Sequence, residues 1–158
     1  MDNRSNDYNI TKTLKDNLLS KLEKTEKKVL EYLNLQLNIN ITGKEINLKL
    51  NNKNIGNIEL DLMSGIEFKY LEDIDLSHNN ITNIESIKNF KNLKNINLSF
   101  NKIEDITPLK KFSENNNQIE KINLNNNEIK NIEILKKIDF ENIIEINLDE
   151  NKIISKDL

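Results

Sequence analysis

The chain of 158 residues has no cysteine and no tryptophan, and it has only three glycines, one proline (Pro108) and one histidine (His78). Without cysteine there are no disulfides and no thiolate metal sites. Three scattered glycines build no Gly-rich phosphate loop. With one histidine and no carboxylate pair set apart in an apolar stretch, the expectation is a chain with no catalytic residue, metal site or cofactor. Ser77 and Ser99 lie close to His78 in the pattern, but on a flat or gently concave surface, and His78 reads as a surface histidine. No apolar run approaches the ~20 residues that cross a bilayer. The opening MDNRSNDYNITK lacks a basic region followed by an apolar core, so no secretory signal is expected. Together these absences predict a cytoplasmic or otherwise intracellular protein. A formal net charge of −3 lacks the broad basic footprint of a nucleic-acid binder.

Alanine is missing altogether, and valine and arginine occur once each, as Val29 and Arg4. Asparagine makes up about one residue in five, far above ordinary usage. An AT-rich genome accounts for most of that excess. Only asparagines that recur at one position of a repeat carry a structural claim.

Such a repeat exists. Leu71, Ile74, Leu76, Asn79, Ile81, Ile84, Ile87 and Phe90 are matched in order by Leu93, Ile96, Leu98, Asn101, Ile103, Ile106, Leu109 and Phe112. A third copy is Ile119, Ile122, Leu124, Asn127, Ile129, Ile132 and Leu135; a fourth is Ile143, Ile146, Leu148, Asn151 and Ile153. A weaker copy, Leu48, Leu50, Ile55 and Ile58, precedes them, with Lys53 in place of asparagine. Ile74 to Leu76 alternates apolar and polar, which predicts a short half-buried strand. Asn79 is placed to bond backbone groups where the chain turns out of that strand. Ile81, Ile84 and Ile87 recur every third residue, which suits a tight helical or extended return leg. One unit cannot bury this edge, whereas stacked units share a continuous core.

The pattern LxxLxLxxNxI, with a period near 22 residues, resembles the leucine-rich-repeat family. Its short return leg resembles the class that contains the protein phosphatase 1 regulatory subunit and the bacterial internalins, and Glu104 to Leu109 (EDITPL) is especially similar to an internalin repeat. The resemblance covers roughly residues 46–154. It implies an α/β fold: a right-handed leucine-rich-repeat solenoid with short parallel strands on the concave face and an N-terminal helix-plus-strand cap.

Three parts are expected: a frayed tail at 1–10, a capping helix and strand at 11–45, and about five repeats at 46–158. Thr13 and Asp16 form an acidic variant of the capping box. Leu14, Leu18, Leu22, Val29 and Leu33 fall on one helical face, predicting an amphipathic helix over about 12–33. It either covers the open end of the stack or binds a partner. Its interspersed glutamates, and the lack of tryptophan or phenylalanine on its apolar face, make a membrane-surface helix a poor fit. Leu35, Leu37, Ile39 and Ile41 alternate with polar residues and predict a strand, paired through a Thr42–Glu45 turn to the first repeat strand. The repeats are unequal: Leu50 to Leu76 is 26 positions, Leu76 to Leu98 is 22, Leu98 to Leu124 is 26 and Leu124 to Leu148 is 24. The surplus is expected near 60–65, in a polar loop over 113–118 (SENNNQ) and near 136–141, either as family drift or as a binding loop. No amphipathic segment follows Ile153.

Strand residues between the buried ones face the concave side in rows: Asn47, Asp73, Asn95, Lys121 and Glu145; Lys49, Asp75, Asn97, Asn123 and Asn147; Asn51, Ser77, Ser99, Asn125 and Asp149; then Asn52, His78, Phe100, Asn126 and Glu150. Phe100 is the one large apolar residue among them. The expected partner-binding residues are Phe100, His78, Asp73, Asp75, Asn97, Lys121 and Asn126. The expected function is protein–protein interaction on this face, with another protein as partner and with neither nucleic acid binding nor membrane insertion. The alternative is an architectural piece: a capping fragment of a longer repeat protein, or a subunit that self-associates through its C-terminal end.

Overall fold

The computed structural model describes residues 26–116, 118–139 and 141–154. The expected tail at 1–10, the Thr13–Asp16 capping box and the predicted helix as far as residue 25 lie outside the described residues.

Five three-residue strands form one parallel sheet in sequence order: β1 (Asn47–Lys49), β2 (Asp73–Asp75), β3 (Asn95–Asn97), β4 (Lys121–Asn123) and β5 (Glu145–Asn147). The register joins equivalent repeat positions, Leu48 to Ile74 to Ile96 to Ile122 to Ile146. This in-register stack of parallel strands with helical return legs is the α/β solenoid that the repeat implies.

Return legs differ in helix type, and this absorbs the unequal spacing. The two 26-position intervals hold α-helices, α2 (Asn57–Ser64) and α3 (Leu109–Asn115). The shorter intervals hold 3-10 turns, Glu85–Asn89 and Glu133–Lys137. Five residues at the 3-10 rise of about 2.0 Å and seven or eight at the α rise of about 1.5 Å span similar lengths, roughly 10–12 Å. Extra residues are therefore taken up by the shorter rise per residue of an α-helical leg, while the strands stay in register.

The expected loop over 113–118 is corrected by this geometry. Ser113, Glu114 and Asn115 finish α3, and Asn116 is fully buried. The Asn116 Nδ2 donates to the carbonyls of Phe90 (3.2 Å) and Leu93 (2.8 Å), tying the leg to the preceding unit. The α-helical leg also turns Ile58, expected inside, to 37% exposure, and buries Leu60 and Met63 instead.

The strand expected over 35–41 is corrected as well. α1 (Glu26–Leu37) runs through Leu37, and Leu35 is 79% exposed on its outer side. Asn38 takes a left-handed φ of 49°, and the Ile39 N–H returns to the Asn34 carbonyl (3.1 Å), the six-to-one bond of a Schellman C-cap. The Asn34 side chain then holds Ile41 by both its N–H (2.6 Å) and its carbonyl (2.9 Å). Backbone groups that a strand would pair are thus satisfied by one side chain. Val29, Leu33 and Leu37 are buried, and α1 packs on α2. No described helix is long and apolar enough to cross a membrane.

Asparagines at the repeat position form a ladder between units. The Asn101 Oδ1 accepts the Ile81 N–H (3.0 Å), while its Nδ2 donates to the carbonyls of Leu76 (3.0 Å), Leu98 (3.0 Å) and Ser99 (3.2 Å). Asn79, Asn127 and Asn151 repeat the arrangement, each reaching into the unit before it. Lys53 replaces asparagine in the first described unit, and its N–H donates to the Asn79 Oδ1 (3.1 Å).

Candidate concave binding face

Seven consecutive positions per unit build the face: 46–52, 72–78, 94–100, 120–126 and 144–150. Two of each seven point into the core, as Ile74 and Leu76 do. The sheet encloses a concavity of ≈ 660 Å³ lined by residues of all five strands, among them Asp73, Asp75, Asn97 and Lys121. His78, Phe100 and Asn126 do not line it. They lie past the strand ends, on one rim. The seven expected partner-binding residues therefore fall into two groups, a polar floor and a partly aromatic rim.

At the rim the backbone decides what is displayed. Asn52, His78, Phe100, Asn126 and Glu150 all have φ between 53° and 57°, the left-handed region. In the last four units the residue three positions back sets this up, whereas Lys49, three before Asn52, carries no acceptor. The Oδ1 atoms of Asp75, Asn97, Asn123 and Asn147 accept the N–H of Ser77, Ser99, Asn125 and Asp149, bending the chain out of the strand. Asn97 also accepts from the Ser99 hydroxyl (2.7 Å), so it is a turn residue as much as a surface one. The bend draws Ser77 and Ser99 in to 5% exposure each, correcting their expected place in a displayed row. Asn126 donates to the Asn125 Oδ1 (2.9 Å).

The rings of His78 and Phe100 stack at 4.2 Å with an interplanar angle of 9°, and Phe100 remains 45% exposed. Parallel stacking of neighbouring units thus fixes an exposed aromatic pair on the rim. Sequence spacing put the two residues side by side; the left-handed backbone that turns them outward carries no such signal at a phenylalanine.

Charge on this face is uneven. The five heptapeptides contain seven carboxylates and three lysines, leaving four net negative charges with His78 neutral. The whole chain carries −3, so the rest of the molecule is net positive by one. Lys94 bonds Glu72 (2.9 Å), and that hydrogen bond raises the lysine above its usual pKa. Lys121 lies 4.0 Å from Glu145. Asp73 accepts a hydrogen bond from Asn95. Among the described residues, no cationic nitrogen comes within 4.0 Å of Asp73 or Asp75, although Lys49 is the register neighbour of Asp75. No group of three or more His, Asp or Glu residues gathers as a metal site among the described residues.

Comparison with known proteins comes from two sides. Residues 71–111 match the family model for leucine-rich repeats, as two copies. Among solved structures, the chain is similar to internalin C2 of Listeria monocytogenes at 20% identity, over 56% of this chain and 35% of that one, with a TM-score of 0.46. It is similar to the internalin InlF of the same organism at 21% identity, over 70% of this chain and 36% of that one, with a TM-score of 0.48. The match thus spans about a third of those longer proteins. No curated protein matches.

Proposed function

We propose that this leucine-rich-repeat chain binds another protein on its concave face, by rigid display and without catalysis, with Phe100 as the apolar anchor. Leucine-rich-repeat domains generally mediate protein–protein interaction. The observation that carries the reading here is the half-exposed ring of Phe100 held against His78 at the rim of the five-strand concavity. Aromatic residues dominate binding hot spots, whereas the small polar floor residues give orientation. Asp73, Asp75, Asn97 and Lys121 supply that floor, and Asn126 extends the rim beyond Phe100.

A Phe100→Asn variant tests this without compromising the fold. Asparagine already occupies positions 52 and 126 with φ near 57° and 54°. A left-handed conformation costs most L-residues about 1–2 kcal/mol and asparagine less, while the lost stack forfeits about 0.5–1.5 kcal/mol. The two offset, so urea unfolding is expected to shift by less than about 1 kcal/mol. In a pull-down, a partner held by the wild type is expected to be lost with Phe100→Asn. Equal recovery of every partner by both proteins removes Phe100 from the site.

A second reading is favoured by the last unit. Ile146 and Leu148 are half-buried, whereas the equivalent Ile122 and Leu124 are closed off, and Ile144 is 73% exposed. This aliphatic edge supports self-association or stacking of a further repeat. Sedimentation is expected to show a mass rising with concentration in the wild type and not in Ile144→Lys. A mass fixed at 18.5 kDa throughout excludes self-association.

A further inference from the structure

We propose that the partner presents a basic, extended segment to the concave face, with arginine or lysine side chains on Asp73 and Asp75 and an apolar residue against the His78–Phe100 rim. This rests on the concave-face reading above and adds the chemistry of the partner. Three observations converge on it. The strand face carries a larger net negative charge than the entire chain, so the charge is segregated rather than spread. Two of the three lysines on that face already have a carboxylate partner, whereas Asp73 and Asp75 have no cation within 4.0 Å among the described residues. Both aspartates line the concavity, whose walls focus the field of charges set on them. The aromatic pair stands beside them: His78 follows Asp75 by three positions in the same unit, and Phe100 stacks on His78.

An extended segment suits the geometry better than a folded domain edge. The floor is five strands wide and three residues deep, a trough along which a chain can lie. A cation near Asp73 and Asp75 at one part of the trough leaves Asp149 and Glu150, just past β5, for a second cation further along. Anionic surfaces, including nucleic acid and acidic lipid, meet repulsion on this side.

The test uses the full chain, isotopically labelled, titrated with an oligoarginine peptide and with a length-matched oligoglutamate peptide. Amide shifts are expected for oligoarginine alone, centred on 72–78 and 94–100, and weakening steeply as salt is raised. The Asp73→Asn/Asp75→Asn double variant is expected to bind oligoarginine about tenfold more weakly. Should that variant lose its fold by circular dichroism, Asp149→Asn/Glu150→Gln serves, with a smaller loss expected. Oligoglutamate binding to the strand face as tightly as oligoarginine overturns the basic partner and leaves concave-face binding standing. Oligoarginine shifts confined to the return-leg helices overturn both. Binding of neither peptide, or binding unchanged in the variants, overturns the charge assignment.

Discussion

Replacing Asn101 with leucine is expected to cost about 3–5 kcal/mol of folding stability, a large share of what a domain of this size has. Asn101 is buried, and its one side chain serves four backbone groups: the Ile81 N–H and the carbonyls of Leu76, Leu98 and Ser99. Leucine keeps the branched outline of the side chain, with bulkier methyl ends, and offers none of these bonds. The Ile81 N–H then lies buried without an acceptor, at about 1–3 kcal/mol, and the carbonyls lose a donor. Asn101→Asp separates size from chemistry. A carboxylate still accepts from Ile81, but it faces three carbonyl oxygens with no hydrogen to give. Its folded-state pKa is pushed above the ordinary aspartate value, because the protonated acid regains a donor. The penalty is therefore full at neutral pH and eases as the pH falls through that raised pKa. Asn151→Leu is the control: it makes the same bonds in a half-buried setting, and a cost of about 1–2 kcal/mol is expected. Urea unfolding followed by circular dichroism measures all three. Equal shifts for Asn101→Leu and Asn151→Leu would mean that burial does not set the value of the ladder.

The ladder and its register were legible because they rest on repetition. Asn79, Asn101, Asn127 and Asn151 recur at one offset from the aliphatic pair, and identical offsets fold identically when stacked. The return legs were less legible, since both winding types bury an aliphatic edge and differ only in how many residues fill a fixed span. SENNNQ lacks apolar anchors, yet its Asn116 is buried as deeply as any leucine by bonding two carbonyls of the preceding unit. A side chain that bonds backbone across 26 positions leaves no local signal. Leu35 to Ile41 fails for a different reason. Its alternation is real, but Leu35 and Leu37 close a helix whose Asn38 turns left-handed, and strict period-two spacing over a few residues does not distinguish the two.

On the face itself, rows one and two were read correctly from spacing, because strand residues alternate and the register follows. The third row was not, because Ser77 and Ser99 follow a side-chain-capped bend that draws them in. The rim is where the sequence departs most from local preference. A phenylalanine occupies a position that in the other units takes asparagine, histidine or glutamate, in a backbone region that disfavours bulky side chains. Local rules are broken most often at sites kept for another purpose, and that is the physical weight behind Phe100 as an anchor.

Phe112→Ala is expected to cost about 3–5 kcal/mol, the other large effect. Phe112 is wholly buried in α3, which packs between the 3-10 turns Glu85–Asn89 and Glu133–Lys137. Removing its ring opens a cavity that neither neighbouring leg can fill without moving its strand. Phe112→Leu keeps most of the volume, and a loss of about 1–2 kcal/mol is expected. Leu135→Ala, in the half-covered last leg, is expected to cost less than Phe112→Ala, because its side chain is only partly removed from water. In a stack, each unit is held by its neighbours, so a break in the middle weakens what lies beyond it. Units four and five then retain a core already open on one side. Amide exchange in Phe112→Ala is therefore expected to rise most at Lys121–Asn123 and Glu145–Asn147, and less at Asn47–Lys49, where α1 packs on α2. Uniform acceleration along all five strands would show instead that the solenoid unfolds as one block, with no weak end.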